Sequence, residues 1–301
     1  MDKTKISLRY YAEYIALKIF IFFIFLIPVK CTKPIAIVIS KISYYFIPVR
    51  KKHIINSLKQ AFPEKNDKEI LKITKDVYRQ FAITIMEMIF FNKLKKEQLK
   101  YAINIENIYL IEKAFKQGRG CILLSAHFGN WELLAKSFSQ RHKMSVIVAG
   151  QENFLVDKMI NDLRTTNGYN TIYKDKSVAK KVLYALKDNE FVAILGDQDA
   201  NKQGVFVPFF GRAASTAKGP AVFALKAKCP VYTAFCVRLK DGSYKATVEE
   251  IVIPEDMSEN EKAEYIMTEY NKALQSYVEK YPSLWFWFHR RWKTKKLPLC
   301  S

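Results

Sequence analysis

Glycine and proline are scarce, ten of each among 301 residues, which rules out a fibrous or low-complexity chain. The glycines form neither a G-x-G-x-x-G turn nor a G-x-x-x-x-G-K-[ST] loop, so nucleotide chemistry has no footing. No G-x-S-x-G elbow is present to expose a serine nucleophile. The five cysteines, Cys31, Cys121, Cys229, Cys236 and Cys300, are odd in number and nowhere spaced C-x-x-C. That argues against a disulfide scaffold or a zinc site and for a reducing compartment. Acidic residues are short as well: 29 Asp and Glu against 49 Lys and Arg leave a net charge of +20. Such an excess favours anionic surfaces (nucleic acid, acidic phospholipid or an acidic protein) without choosing among them. Only four histidines occur, His53, His127, His142 and His289.

Long hydrophobic runs are missing too. A membrane-spanning helix needs about 20 apolar residues. The unbroken run from Ile19 to Val29 falls short of that, and the apolar stretch from Pro34 to Val49 is interrupted by Lys41. A cleaved signal would want small residues at its end, where this chain has Pro28-Val29-Lys30-Cys31. Lys3, Lys5 and Arg9 precede the run, and Lys30, Lys33 and Arg50-Lys51-Lys52 follow it. Basic residues on both sides give no inside-outside asymmetry. They favour an anchor lying in the interface, with both flanks on one anionic leaflet. Residues 1–49 are therefore read as a hydrophobic membrane-anchoring segment and 50–301 as one domain.

Half of the residues are hydrophobic, enough for a sizeable core. Ile54, Ile55, Leu58 and Ala61-Phe62 recur at helical spacing until Pro63, and a second helix runs from Asn66 or Asp67 to Phe91. After Gly118 the pattern becomes strand-helix alternation. Strands are predicted at 120–126, 144–149, 191–195, 231–239 and 244–253. Helices are predicted at 130–140, 157–166, 176–187, 215–228 and 258–280, the last opened by a Ser258/Glu261 capping box. This order indicates a three-layer α/β domain, a mixed central sheet flanked by helices.

The segment Ser125-Ala126-His127-Phe128-Gly129-Asn130-Trp131-Glu132 carries the chemistry. His127 ends a buried strand, where catalytic groups gather in open α/β sheets. Gly129 allows a turn, Asn130 is a plausible N-cap, and Glu132 falls in the first turn of the next helix. A carboxylate on one ring nitrogen fixes the imidazole tautomer, and the other nitrogen can take a proton from an attacking hydroxyl. The bland alternative is a satisfied structural histidine at a strand end.

This H-x4-E box resembles that of the lipid A biosynthesis late acyltransferases, the lauroyl/myristoyl type. They belong to the wider glycerolipid acyltransferase superfamily, whose box is usually H-x4-D. The likeness extends in order through Asn56-Ser57-Leu58-Lys59-Gln60-Ala61-Phe62-Pro63, Gln151-Glu152-Asn153 to Arg164 and Gly168, Gly196-Asp197-Gln198-Asp199, Val207-Pro208-Phe209-Phe210-Gly211, and Pro282-Ser283-Leu284-Trp285-Phe286-Trp287-Phe288-His289-Arg290-Arg291-Trp292-Lys293. It implies a glycerolipid-acyltransferase-like fold and transfer of an acyl chain from a thioester, acyl carrier protein or coenzyme A, to a hydroxyl of a lipid A precursor. It implies His127 as base and Glu132 as its orienting partner. Arg164 is then expected at acceptor phosphate or developing negative charge, with Asn153, Asp197, Asp199 and Gly129 as substrate-binding residues. Asp197 and Asp199 could instead hold Arg164, form a turn, or pair on a metal, although no His or Cys neighbours support the metal. No metal or other cofactor is expected. The implied location is the bacterial inner membrane, with the catalytic domain on its cytoplasmic side and membrane phospholipid as a partner.

Two other readings compete. One keeps the centre and changes the acceptor to another glycolipid or a lysophospholipid. The other is a non-enzymatic basic protein binding membrane or nucleic acid. Interleaved aromatics and cations from Trp285 to Lys296 would suit single-stranded nucleic acid or a membrane interface. The apolar N-terminus favours the membrane, so nucleic acid is not expected as a partner.

Overall fold

The computed structural model describes residues 7–90, 98, 101–166 and 168–296. Helices α1 (Leu8–Leu26) and α2 (Val29–Tyr45) are separated by Pro28 and packed on α4 (Asp67–Phe90), with α3 (Lys51–Ala61) between. Ile24, Ala36, Ile83, Met86 and Phe90 form their shared core. Among the described residues no helix is long and apolar enough to cross a membrane. The second predicted helix runs as expected from Asp67, and its predicted last residue, Phe91, lies outside the described residues.

The α/β region follows as β1 (Asn104–Glu106), α5 (Ile108–Lys116), β2 (Cys121–Ser125), α6 (Trp131–Ser139), β3 (Met144–Val148), α7 (Phe154–Thr166), β4 (Asn170–Tyr173), α8 (Val178–Lys187) and β5 (Phe191–Leu195). Then come β6 (Val205–Phe209), β7 (Arg212–Thr216), α9 (Gly219–Ala227), β8 (Val231–Ala234), β9 (Val237–Arg238), β10 (Tyr244–Glu250) and α10 (Glu259–Lys280). The main sheet has the order β1-β10-β8-β2-β5-β3-β4, with β9 pairing β10. From β8 to β4 the strands are parallel, whereas β10 runs antiparallel to β8. This is the expected mixed sheet flanked by helices. Every residue of β2 is buried because both faces are covered. Ile122 and Leu124 join the core under α8, α9 and α10, while Cys121 and Leu123 join the core under α5 and α6.

The chain leaves β2 toward β3 on one side and leaves β5 for β8 on the other. Connections diverging from two adjacent parallel strands open a crevice beyond their C-terminal ends. The capping box of α10 is present, with Glu261 N–H on Ser258 Oγ and the Ser258 N–H on Glu261 Oε2 at 2.9 Å.

Local expectations change at three places, the first being the strand predicted at 231–239, which is split into β8 and β9. The helix predicted from Ser215 begins at Gly219, because Val205–Phe209 and Arg212–Thr216 pair as a separate hairpin turning at Phe210-Gly211, both at positive φ. The closing aromatic segment is interior rather than interfacial. Trp285, Trp287 and Arg291 are at most 2% exposed, and Arg291 donates to Ser215 O and Thr216 Oγ1, each at 2.5 Å.

Candidate active site

Parallel register brings the two chemical groups together. Ser125 of β2 lies beside Leu195 of β5, and Gly196 N–H donates to Ser125 O at 3.1 Å. Two residues past each strand stand His127 and Asp197. Asp197 Oδ1 lies 2.9 Å from His127 Nδ1, while Asp197 Oδ2 accepts from the His127 backbone N–H at 3.1 Å and from Trp285 Nε1 at 2.9 Å. Burial works to raise the Asp197 pKa, but His127 and the donated hydrogen bonds outweigh it and hold the carboxyl below its usual range. An ionised carboxylate only accepts, so Nδ1 carries the proton. Nε2 has no protein partner among the described residues. The imidazole, 21% exposed, lies against Trp131 and Phe286 with ring centroids 5.1 and 5.8 Å away.

The carboxylate in contact with His127 Nδ1 is thus Asp197, where Glu132 is expected from the sequence. Glu132 Oε1 accepts from Arg164 Nη2 at 2.5 Å and Nε at 3.2 Å, and its Oε2 accepts from Tyr169 Oη at 2.6 Å. The reason is helical geometry: Asn130 caps α6, taking Leu133 N–H at 3.0 Å, and Glu132 points from the first turn toward α7. Burial opposes ionisation of Glu132, yet Arg164 and Tyr169, with Lys136 nearby, lower its pKa overall. Lys136, one turn further on and 3% exposed, is pushed down to about 8, chiefly by burial.

Arg164 lies on the site, held by Glu132. The other four expected binding residues are engaged differently, Asp197 with His127 and Trp285 as above. Asn153 is absent from the residues lining the cavity: its amide donates to Tyr10 O and Glu13 Oε2 at 2.9 and 3.0 Å, and its Oδ1 caps α7, so it ties α7 to α1. Asp199 lines the cavity, but its carboxylate accepts from Thr294 N–H and Oγ1 and from Asn201 N–H. Gly129 serves the backbone. At φ +57 a Cβ there would sit 1.7 Å from Cys236 O, and its N–H donates to Leu284 O at 2.8 Å.

The sequence pattern does not single out Trp285 and Tyr169 as the partners of Asp197 and Glu132, nor the support from α4. Thr84 Oγ1 donates to Gly129 O at 3.0 Å, and Glu87 takes Asn130 Nδ2 at 3.1 Å while paired with buried Arg238. One signal was available: two five-residue apolar strands, each followed by a small residue and then an ionisable one, Ala126-His127 and Gly196-Asp197. His289 is held against the loop after β5. Its Nε2 accepts from Asp199 N–H at 2.8 Å, and burial first, then Arg291 and His127, lower its pKa to about 4.

His127 and Glu132 open on one cavity of about 520 Å³ at the crevice. Arg164, Lys174 and Lys218 line it, and its interior wall includes Leu134, Met144, Val146 and Ala193. A proton acceptor, cationic groups and an apolar interior therefore meet in one space.

The family profile described as "Bacterial lipid A biosynthesis acyltransferase" matches residues 1–294. The lipid A biosynthesis palmitoleoyltransferase of Escherichia coli (strain K12) is 23% identical over 253 residues, 83% of this chain and 81% of that protein. The lipid A biosynthesis lauroyltransferase of the same strain is 24% identical over 262 residues, 85% of this chain and 83% of that protein. A phosphatidylinositol mannoside acyltransferase of Mycobacterium tuberculosis (strain CDC 1551 / Oshkosh) is 25% identical over 131 residues, 42% of this chain and 41% of that protein. The reading as a non-enzymatic basic binding protein falls away: with a matching profile over nearly its whole length, the chain is an acyltransferase and belongs to the bacterial lipid A biosynthesis acyltransferase family.

Proposed function

We propose that the chain transfers a fatty acyl group from an acyl carrier protein or coenzyme A thioester to a hydroxyl of a lipid A precursor, with His127 as general base. The observation that supports this most is the Asp197 carboxylate on His127 Nδ1, which leaves Nε2 as the proton-accepting nitrogen beside the cavity. Nε2 takes the acceptor's hydroxyl proton as its oxygen attacks the thioester carbonyl carbon. Asp197 stabilises the imidazolium formed. The tetrahedral adduct collapses, the carbon–sulfur bond breaks, and the leaving thiolate recovers the proton from His127. The thioester is itself the activated group, so the step needs no resident cofactor.

Arg164, braced by Glu132 and Tyr169, supplies a cationic fork for the acceptor's phosphate or the developing oxyanion. In this reading Glu132 acts through Arg164. Another glycolipid acceptor is the second reading, favoured by the mannoside acyltransferase relatives.

Residues 1–49 serve as an interfacial anchor at the cytoplasmic face of the inner membrane, with 50–301 as the catalytic domain. Leu8, Phe22, Phe23, Leu26, Phe46 and Ile47 are more than half exposed, an apolar surface beside many cations.

The test is acyl transfer from labelled acyl carrier protein, and separately coenzyme A, to a lipid A precursor. His127→Ala is expected to lose about 10²–10⁴-fold in kcat/KM. Full activity in that variant would sink the mechanism. Transfer only to a lysophospholipid or another glycolipid would replace the acceptor.

A further inference from the structure

A second cavity, about 540 Å³, lies between α1, α2 and α4 and takes no part in the chemistry above. Phe20, Ile39, Ala82, Ile85 and Met86 form its sides, and Phe81, Phe286 and Phe288 close its inner end. These three rings pack together, with centroids 5.0–5.3 Å apart. The same three line a small gap that also touches His127 and Trp131, and Phe286 lies 5.8 Å from the His127 ring. The groove therefore ends one aromatic side chain from the base.

Its outer end is open. Phe20 on α1 is 42% exposed and Val49, in the turn after α2, is 55% exposed. Cations gather beside it. Arg50 lines the groove and donates from Nη1 to Phe288 O at 2.7 Å. Lys51 Nζ lies 3.7 Å and Lys75 Nζ 5.6 Å from the Tyr44 ring centre.

We infer that this groove holds one hydrocarbon chain of the bilayer-resident, anionic lipid acceptor, an inference that rests on the proposed reaction. That reaction joins two hydrocarbon-bearing substrates, and both this groove and the cavity beyond β2 and β5 approach His127. A chain already in the bilayer can slide into a groove opening on the membrane-facing helices without crossing water. The donor's chain arrives on a water-soluble carrier and suits the cavity beyond β2 and β5, whose apolar interior lies inside a cationic opening. Arg50, Lys51 and Lys75 then lie where the acceptor's anionic headgroup leaves the membrane.

Steady-state rates with acceptors of graded chain length test this. With the native enzyme, KM for the acceptor rises as the chain that fills the groove is shortened, by less than the about fourfold per methylene of a transfer from water, because the chain leaves bilayer hydrocarbon and loses only packing contacts in the groove. Ala82→Phe, or Ser43→Phe from the opposite wall should the first fail to fold, fills the groove. Either raises KM for the full-length acceptor about tenfold or more, leaving kcat, donor KM and KM for a truncated acceptor unchanged. Equal effects on full-length and truncated acceptors, or a shifted donor chain-length preference, would overturn the inference.

The unaltered enzyme supplies a measurement independent of turnover. An acceptor analogue with a diazirine at its chain end labels residues 80–90 of α4 on irradiation. Equal labelling there by a diazirine phosphatidylglycerol overturns the inference in favour of ordinary bilayer lipid, and labelling by a diazirine acyl thioester overturns it in favour of the donor. Acceptor labelling without any acyl transfer would reject the proposed reaction while leaving the groove's occupant standing.

Discussion

The two ends of the H-x4-E box lead different lives. His127 turns back across the sheet to Asp197 at the end of β5, with Trp285 sealing the carboxylate's other oxygen. Glu132, five residues on, turns away to Arg164 of α7 and Tyr169 before β4. The first cluster contains a nitrogen that can accept a proton. The second is a neutralised, hydrogen-bonded brace whose free end is a cation on the cavity. Closeness in sequence therefore does not make a dyad. A strand end and the first turn of the following helix point in different directions, and each group found its partner elsewhere in the chain.

Asp197→Asn should sharpen that contrast most. It keeps the shape but can present an N–H to Nδ1 and so reverse the imidazole tautomer. A loss of about 10²–10³-fold in kcat is expected, with little change in acceptor KM. Activity within threefold of the native enzyme would mean that Asp197 is only structural.

Glu132→Gln comes next. It leaves the largely buried Arg164 without its counter-charge, a change costing roughly 3 kcal/mol in stability. Activity should fall about tenfold, mainly through acceptor KM. Combined with Arg164→Gln, the loss should be clearly less than the product of the single losses, because one brace is being broken twice. A kcat loss matching that of Asp197→Asn, with KM intact, would break the comparison by making Glu132 part of the proton relay.

The smallest effect concerns pH and stability. His289 has its pKa lowered to about 4 from 6.5, so between those values the unfolded chain binds the extra proton. Stability then falls as pH is lowered through that window, by at most about 3 kcal/mol. Asp197 and Glu132, both held below their ordinary values, add stability that is lost as pH falls further through their folded-state pKa values. Thermal melts of His289→Gln should be flatter between pH 6.5 and 4 and retain the acid limb below. An unchanged slope in that window would place the titration elsewhere.

Much of this was legible beforehand, for local reasons. Hydrophobic periodicity located β2, α6, β5 and α10, because strands buried on both faces read as apolar runs and the caps are set by neighbouring residues. Asn130 as N-cap and Ser258/Glu261 as a capping box depend on contacts within four residues, and both are present. The end of β7 reads as helix in the sequence because Ser215 and Thr216 resemble a helix start. Cross-strand pairing with Val205 and Phe206 decided otherwise.

Residue order alone determined that a histidine would end a buried strand, that a glycine turn and a carboxylate would follow, and that the chain would be basic with an apolar N-terminus. Tertiary structure decided the partnerships. Sheet order set β5 beside β2 and so gave His127 the carboxylate of Asp197. Packing turned Trp285 and Arg291 inward and made Asn153 a clamp on α1. Contacts within a turn depend on neighbours a few residues away and can be read from sequence. Contacts between strand ends 70 residues apart depend on how the whole sheet is wound.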